Sequence, residues 1–166
     1  MHEEIRTFAR LFDRDLDTLA REVSLYPEDT LLWKPIKGQP TLGGNLALHL
    51  AGNLRHFIGA VLGASGFIRN REAEFAQQDL SKTSVLTEIQ KAKAEVAAAL
   101  AALDPACLSE PFPETIRGHH LSTRMMLAHL LTHLSFHLGQ MDYHRRAATG
   151  DSQSAEPGGF APIADH

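Results

Sequence analysis

Three histidines recur at intervals of four residues near the C-terminal end of the chain: His129, His133 and His137, in the segment HLLTHLSFHLGQ. Residues four apart on a helix lie one above another, so this spacing aims three imidazoles at one place. Two neutral imidazoles from adjacent turns suit a divalent transition metal, with a third ligand from another helix. His49, in a separate apolar segment, is the candidate for that third ligand. The pattern predicts a metal site.

The chain contains ten histidines, and most of them are not expected to bind metal. Burying an imidazole without a hydrogen-bonding partner costs roughly a few kcal/mol in lost hydration. Packing alone therefore explains poorly why three histidines recur at four-residue spacing. His56 follows His49 by seven residues on the same face and is interpreted as a core histidine or a neighbour of the ligands. His119 and His120 are adjacent in a loop, where at most one can face the bundle. The other three are expected to face solvent: His2, His144 and His166.

The bulk composition favours one domain and excludes two classes of partner. The chain has 166 residues, 43% of them hydrophobic, which is enough for a single core. Its net charge is −4, so electrostatics favour neither nucleic acid nor an anionic membrane as a partner. Cys107 is the single cysteine and forms no internal disulfide. The charged N-terminal segment lacks an apolar signal-peptide core, and we expect a cytoplasmic protein.

Helical periodicity is strong at both ends of the chain. Helix one has an apolar stripe over residues 5–23, and prolines then interrupt the pattern through a long loop.

Helix two is predicted in a segment with almost no charge. Between residues 41 and 68 the single charged side chain is Arg55. Such a helix is buried nearly all round, either at the centre of the bundle or partly under a second subunit. Its histidines and asparagines argue against a membrane span.

The rest of the chain supplies two more helices. Helix three covers residues 85–103, and helix four runs from about 122 to 148. Between them, residues 111–121 predict an irregular crossing or a short hairpin. The sequence therefore predicts an all-α four-helix bundle with long connections over residues 1–148, followed by a loosely held C-terminal arm, 149–166, without regular structure. Side chains that project inward from facing helices build the metal sites of such bundles.

Two segments carry a family resemblance. LWKPIKGQPTLGGNLALHLAGNLRHF and, later, LLTHLSFHLGQMDYHRR resemble the DinB and YfiT-like superfamily of metal-binding bundles, in the branch with an HLxGN segment on helix two. The resemblance covers about residues 3–146. It implies three metal ligands: His49 from helix two, and His133 and His137 from the turns beside the Gly-Gln pair of helix four. His129 is then placed next to the ligands or in packing, with its role left open.

The expected surroundings of the ligands are the residues near them on both helices and in the first loop. They are His129, Asn53, His56, Trp33 and Gln140. A lone tryptophan such as Trp33 either walls a substrate pocket or plugs the core. The ion is expected to be nickel, zinc or iron, since imidazole ligands accept each of them. No catalytic side chain is assigned, because no second carboxylate is recognisable on the histidine faces.

The resemblance also implies a reaction class. Characterised relatives include thiol-dependent S-transferases and a thiol-dependent isomerase, so a small-molecule substrate and a low-molecular-weight thiol are expected, in a homodimer. An open metal position would make a bound thiol or water more acidic. The alternative is a non-catalytic metal-binding or stress-associated dimeric protein, and a further one is a bundle with packed histidines and no metal. A large pocket beside the ion favours the enzyme, and a sealed ion favours the non-catalytic protein.

Overall fold

The computed structural model describes residues 1–164, which fold into helices joined by irregular segments. The α-helices are α1 (Glu3–Ser24), α2 (Asp29–Leu32), α3 (Gly43–Leu54), α4 (Arg71–Ala76), α5 (Lys82–Ala102) and α6 (Thr123–Thr149). A π-helical segment, Arg55–Ala60, continues α3, and 3₁₀ turns lie at Pro105–Ser109 and Ala161–Ile163. Residues 1–164 contain no β-strand, only two isolated β-bridges. The predicted all-α fold is confirmed.

The four long helices form the bundle. Helix α1 packs on α5 and α6, and α3 packs on the same two helices, so α1 lies diagonally across from α3. The apolar stripe of α1 faces the core, where Phe12, Leu16 and Leu19 are fully buried. Within residues 1–164, no helix combines the length and the apolar character needed to cross a membrane.

Local capping chemistry sets the ends of helices three and four, and it starts α5 at Lys82, before the predicted start at residue 85. Ser81 precedes α5, and its side chain accepts a hydrogen bond from the backbone N–H of Ser84. Ser122 caps α6 in the same way on Met125. Gly150 follows α6 with a φ of 73°, the left-handed conformation that suits glycine after a helix.

Helix two is shorter than its apolar composition suggested. The predicted span, 41–68, contains α3 up to Leu54, the π-helical segment, and an irregular stretch. In the π-helical segment the N–H of Val61 bonds to the carbonyl of His56, five residues back. Every residue of α3 is buried within the single chain. The central position therefore accounts for its composition, and a second subunit is not needed to explain it.

The connections contain elements that periodicity did not reveal. Helices α2 and α4 are one or two turns long and lie in stretches interpreted as loops. The segment between helices three and four forms the short hairpin, with bridges from Pro111 to Ser122 and from Ile116 to His119.

The described part of the C-terminal arm, residues 150–164, is mostly irregular, but it is not loosely held. The buried guanidinium of Arg145 donates to the carbonyl oxygens of Asp151 and Gln153. Arg21 of α1 donates to the carbonyl of Ala155, whose side chain is buried. These contacts fix the arm along α1, which corrects the expectation of a loose segment.

Candidate metal centre

Helices α3 and α6 bring the three predicted ligands together. One ring nitrogen of each of His49, His133 and His137 lies within 4.8 Å of the others. The two helices run antiparallel, since Gly43 at the start of α3 lies beside His144 near the end of α6. Their crossing places His49 opposite the two adjacent turns of α6 that carry the histidine pair. The four-residue spacing thus brings His133 and His137, but not His129, into one group with His49.

The orientation of His49 is set by a carboxylate. Its Nδ1 lies 2.9 Å from Oε2 of Glu74, which comes from α4, and both side chains are buried. An ionised carboxylate only accepts hydrogen bonds, so Nδ1 carries the proton and donates it. The Nε2 atom of His49 is then unprotonated and presents its lone pair to the cluster.

The spacing between the imidazoles fits a metal ion. Nε2 of His49 lies 3.4 Å from Nε2 of His133. Two nitrogens bound to one tetrahedral ion at about 2.0–2.1 Å are separated by about 3.4 Å. Nδ1 of His133 is buried without a hydrogen-bond partner among the described residues, so no other contact competes for this ring's orientation. The donor set, all imidazole, is one that nickel, zinc and iron accept.

Arg69 stabilises the carboxylate behind His49. Its Nε and Nη2 atoms donate to the two oxygens of Glu74, at 2.6 and 2.8 Å. Burial opposes ionisation of Glu74, but the hydrogen bonds from Arg69 and His49 outweigh it and hold the pKa of this carboxyl below its usual value. The carboxylate is thus charged and fixed at neutral pH.

The two clustered histidines of α6, His133 and His137, are held in the neutral form that metal binding requires. Burial, together with the nearby His137 and His49, lowers the pKa of His133 to about 4. Burial also lowers the pKa of His137. Nδ1 of His137 donates to Oε1 of Gln140 at 2.6 Å, which leaves its Nε2 unprotonated. Gln140 therefore orients a candidate ligand from one turn away.

The other histidines near the cluster do not join it. His129 is exposed, and its ring lies 6.2 Å from the ring of His133. His56, within the π-helical segment, pairs instead with Glu114 of the hairpin, at 3.1 Å between Nε2 and Oε2. Neither belongs to the group of side chains able to hold one ion. Asn53, one turn after His49 on α3, is buried with its Oδ1 unpartnered among the described residues.

Trp33 packs in the core. Its side chain is 7% exposed, and Nε1 donates to the carbonyl of Leu80. The indole lies against the backbone of Gly44, where an added Cβ would stand 2.3 Å from the ring. Of the two uses expected of this residue, the structure supports packing.

One histidine expected at the surface is buried. His144 is fully buried; its Nε2 donates to the carbonyl of Lys34, and its Nδ1 accepts from the hydroxyl of Tyr26 at 2.7 Å. The prediction of a solvent-facing side chain was wrong because Tyr26 and Lys34 come from distant segments that local spacing does not reveal. His2 is exposed as expected, and in the hairpin both His119 and His120 are exposed, so neither faces the bundle. His166 lies outside the described residues.

A cleft of 370 Å³ adjoins the histidine cluster. The loop between α2 and α3 forms one wall, and the exposed face of α6 forms the other. Gln140, the partner of His137, is part of its lining. Phe136 also lines it, and its ring lies 5.3 Å from the ring of His137. The cleft thus lies beside side chains that contact His137, although none of the three candidate ligands is itself part of its lining.

Sequence reasoning missed Glu74, which lay in a stretch interpreted as a polar connection. A signal for it did exist in the HLxGN segment: an added Cβ on Gly52 would lie 2.3 Å from Oε1 of Glu74. A glycine within a buried helix indicates close approach of another group. Here that group is the carboxylate that orients His49.

Comparison with known proteins adds the family. No curated protein and no solved structure gives a match to this chain. The sequence model described as the DinB superfamily matches residues 11–141, which include the three clustered histidines and most of the bundle. Together with the histidine cluster, this match points to divalent-metal binding. The chain belongs to the DinB superfamily.

Proposed function

We propose that this protein binds a divalent transition metal through His49, His133 and His137 and catalyses the reaction of a low-molecular-weight thiol with a small molecule. One observation carries the proposal. The group of potential ligands contains three side chains, with no fourth His, Cys, Asp or Glu among residues 1–164. Structural zinc sites are closed by four protein ligands, whereas catalytic sites keep a position open for water or substrate.

The side chains of the site have different roles in holding the ion. The three imidazoles bind through unprotonated nitrogens, which burial favours at His133 and His137. Glu74 and Gln140 accept the opposite N–H groups of His49 and His137, and this fixes both rings. Arg69 keeps Glu74 ionised. A divalent metal held by the three imidazoles would lower the pKa of a thiol that binds it, so that the sulfur would be available as a thiolate nucleophile near neutral pH.

The rim of the site offers a place for a second molecule. Phe75 of α4 lies with its ring 4.9 Å from that of His49, and Phe136 flanks His137. These aromatic side chains supply apolar surface at the edge of the histidine cluster, beside the adjoining cleft. The arrangement supports a small-molecule substrate in preference to a macromolecular one.

The test begins with metal analysis of the full-length protein purified without an affinity tag. Protein loaded with nickel, zinc or iron is then assayed for conjugation of glutathione or cysteine to 1-chloro-2,4-dinitrobenzene. We expect metal-dependent acceleration that the His133→Ala variant loses. Full metal occupancy without acceleration over His133→Ala, for each thiol and metal, would contradict the proposal and support the non-catalytic alternative.

A further inference from the structure

The cleft beside the metal centre lies one helical turn from the ligands on both of its walls. Leu46 precedes His49 by three residues on α3, and Gln140 follows His137 by three residues on α6. Three residues along a helix correspond to about 4.5 Å. A molecule in the cleft is therefore within reach of a group bound at the histidines.

Gly139 forms an open part of the cleft lining. An added Cβ at this position would meet nothing within 4 Å, although glycine destabilises a helix interior relative to alanine. The other helical glycines among residues 1–164 are explained by packing, since an added Cβ would lie less than 3.0 Å from a neighbouring side chain. They are Gly43, Gly44, Gly52 and Gly59. Packing within the chain does not account for Gly139, and the open space above it belongs to the cleft.

The side chains that line the cleft indicate what kind of molecule it would bind. Pro40, Leu46, Phe136 and Tyr143 supply apolar surface, and no charged side chain of the described chain lines it. The two aromatic side chains, Phe136 and Tyr143, are 65% and 71% exposed, so their rings offer open surface to a bound molecule. The volume lies in the range of small-molecule sites.

We propose that the cleft binds the uncharged, apolar body of the small-molecule substrate, with an aromatic or alicyclic ring over Gly139 and the polar reactive group toward Gln140 and His137. The inference rests on the proposed function only in assigning a reaction to the histidine site. The binding of the apolar body is argued from the cleft alone. Gly139 acts as a specificity-determining position, because any larger side chain there occupies the space of the ring.

The test uses 2-naphthol, a neutral two-ring probe, titrated into the full-length protein as purified and followed by backbone amide NMR. We expect saturable shifts that cluster at residues 38–41 and 139–143. Gly139→Leu fills the cleft and should weaken binding about tenfold or more, with a melting temperature at or above that of the unmodified protein. Gly139→Ala, which adds a methyl group alone, should raise the melting temperature and weaken binding less.

The matched control is Ala147→Leu, which places the same side chain at an exposed position of α6 outside the cleft. It should leave 2-naphthol binding unchanged. Equal binding by Gly139→Leu, or shifts elsewhere, would overturn the inference. So would shifts at the same amides on dilution without probe, because a second copy of the chain would then be the occupant. Binding of 2-naphthol requires neither thiol nor turnover, so its failure is distinct from failure of the conjugation assay.

Discussion

The backbone of Gly52 lies directly against the carboxylate of Glu74: a Cβ added to the glycine would stand 2.3 Å from Oε1. The same carboxylate accepts the Nδ1 proton of His49 at 2.9 Å. The glycine of the HLxGN segment thereby makes room for the group that orients the histidine of that segment.

Gly52→Ala should weaken metal binding without unfolding the bundle. The new methyl group displaces the end of the Glu74 side chain, which can move, and His49 loses its orienting partner. Loss of such a partner costs about 10–100-fold in metal affinity. Competition titration with a zinc chelator measures the effect. Gly159→Ala, where an added Cβ makes ordinary contact, is the control. Unchanged affinity in Gly52→Ala would show that Glu74 does not position His49.

Glu74→Gln tests the charge of the carboxylate separately from its shape. The amide oxygen can still accept from His49, but Arg69 is left without its ionised partner. We expect an intermediate loss of zinc affinity, smaller than for Glu74→Ala. Glu72→Gln, at an exposed position of the same short helix, should have no effect. Equal affinities for Glu74→Gln, Glu74→Ala and the unmodified protein would contradict a role for this group.

The parts of the site that the sequence predicted depend on local spacing. His133 and His137 lie one turn apart, and the Ser122 cap fixes the start of their helix, so both features could be inferred from nearby residues. Glu74 and His144 were missed because their roles depend on where distant segments meet. Glu74 reaches His49 across 25 positions of the chain, and His144 reaches Tyr26 across 118. Local periodicity carries no information about such contacts.

Metal loss and unfolding should both be promoted by acid. His133 has a pKa of about 4 in the folded protein, below the ordinary value of 6.5, so the folded state binds fewer protons than the unfolded one. Its contribution to stability is present above about pH 6.5 and is lost as the pH falls toward 4. Protonation also competes with metal, so we expect metal retention at about pH 7.5 and progressive loss below about pH 5.5.

Melting temperatures from pH 7.5 to 4.5, with and without EDTA, measure this linkage. The chelator should lower the melting temperature at the upper end of the range, and the difference should shrink toward the lower end, since the metal stabilises only the folded state that binds it. His133→Ala should remove the difference. Equal melting temperatures with and without chelator at pH 7.5 in the unmodified protein would argue against a bound metal.

The buried ion pair of Glu22 and Arg145 should be essential for stability. Both side chains are 0% exposed, with 2.6 Å between Nε and Oε2. Arg145→Met leaves an uncompensated carboxylate in the core, which costs about 3–5 kcal/mol. It also frees the carbonyls of Asp151 and Gln153, so the arm should become sensitive to protease. Urea unfolding and limited proteolysis measure the two effects.

Replacing both partners separates charge from packing. Glu22→Leu combined with Arg145→Met removes the uncompensated charge and should recover much of the stability. The arm should stay sensitive to protease, because its carbonyl partners are still missing. A double variant as unstable as Arg145→Met alone would show that packing of the guanidinium, and not the charge left behind, dominates.

His144→Ala should destabilise the protein and leave its metal affinity unchanged, because this histidine serves the fold and not the site. Its removal leaves the buried hydroxyl of Tyr26 with a single weak contact, to Sδ of Met141 at 4.0 Å, and takes the ring donor from the part-buried carbonyl of Lys34. An unsatisfied buried group costs about 1–3 kcal/mol. His120→Ala, at an exposed position of the hairpin, should be neutral in urea unfolding. Zinc affinity is measured at a temperature where the variant is folded. A loss of affinity in His144→Ala would show that the contact between His144 and Tyr26 influences the metal centre, and it would contradict a purely structural role for this histidine.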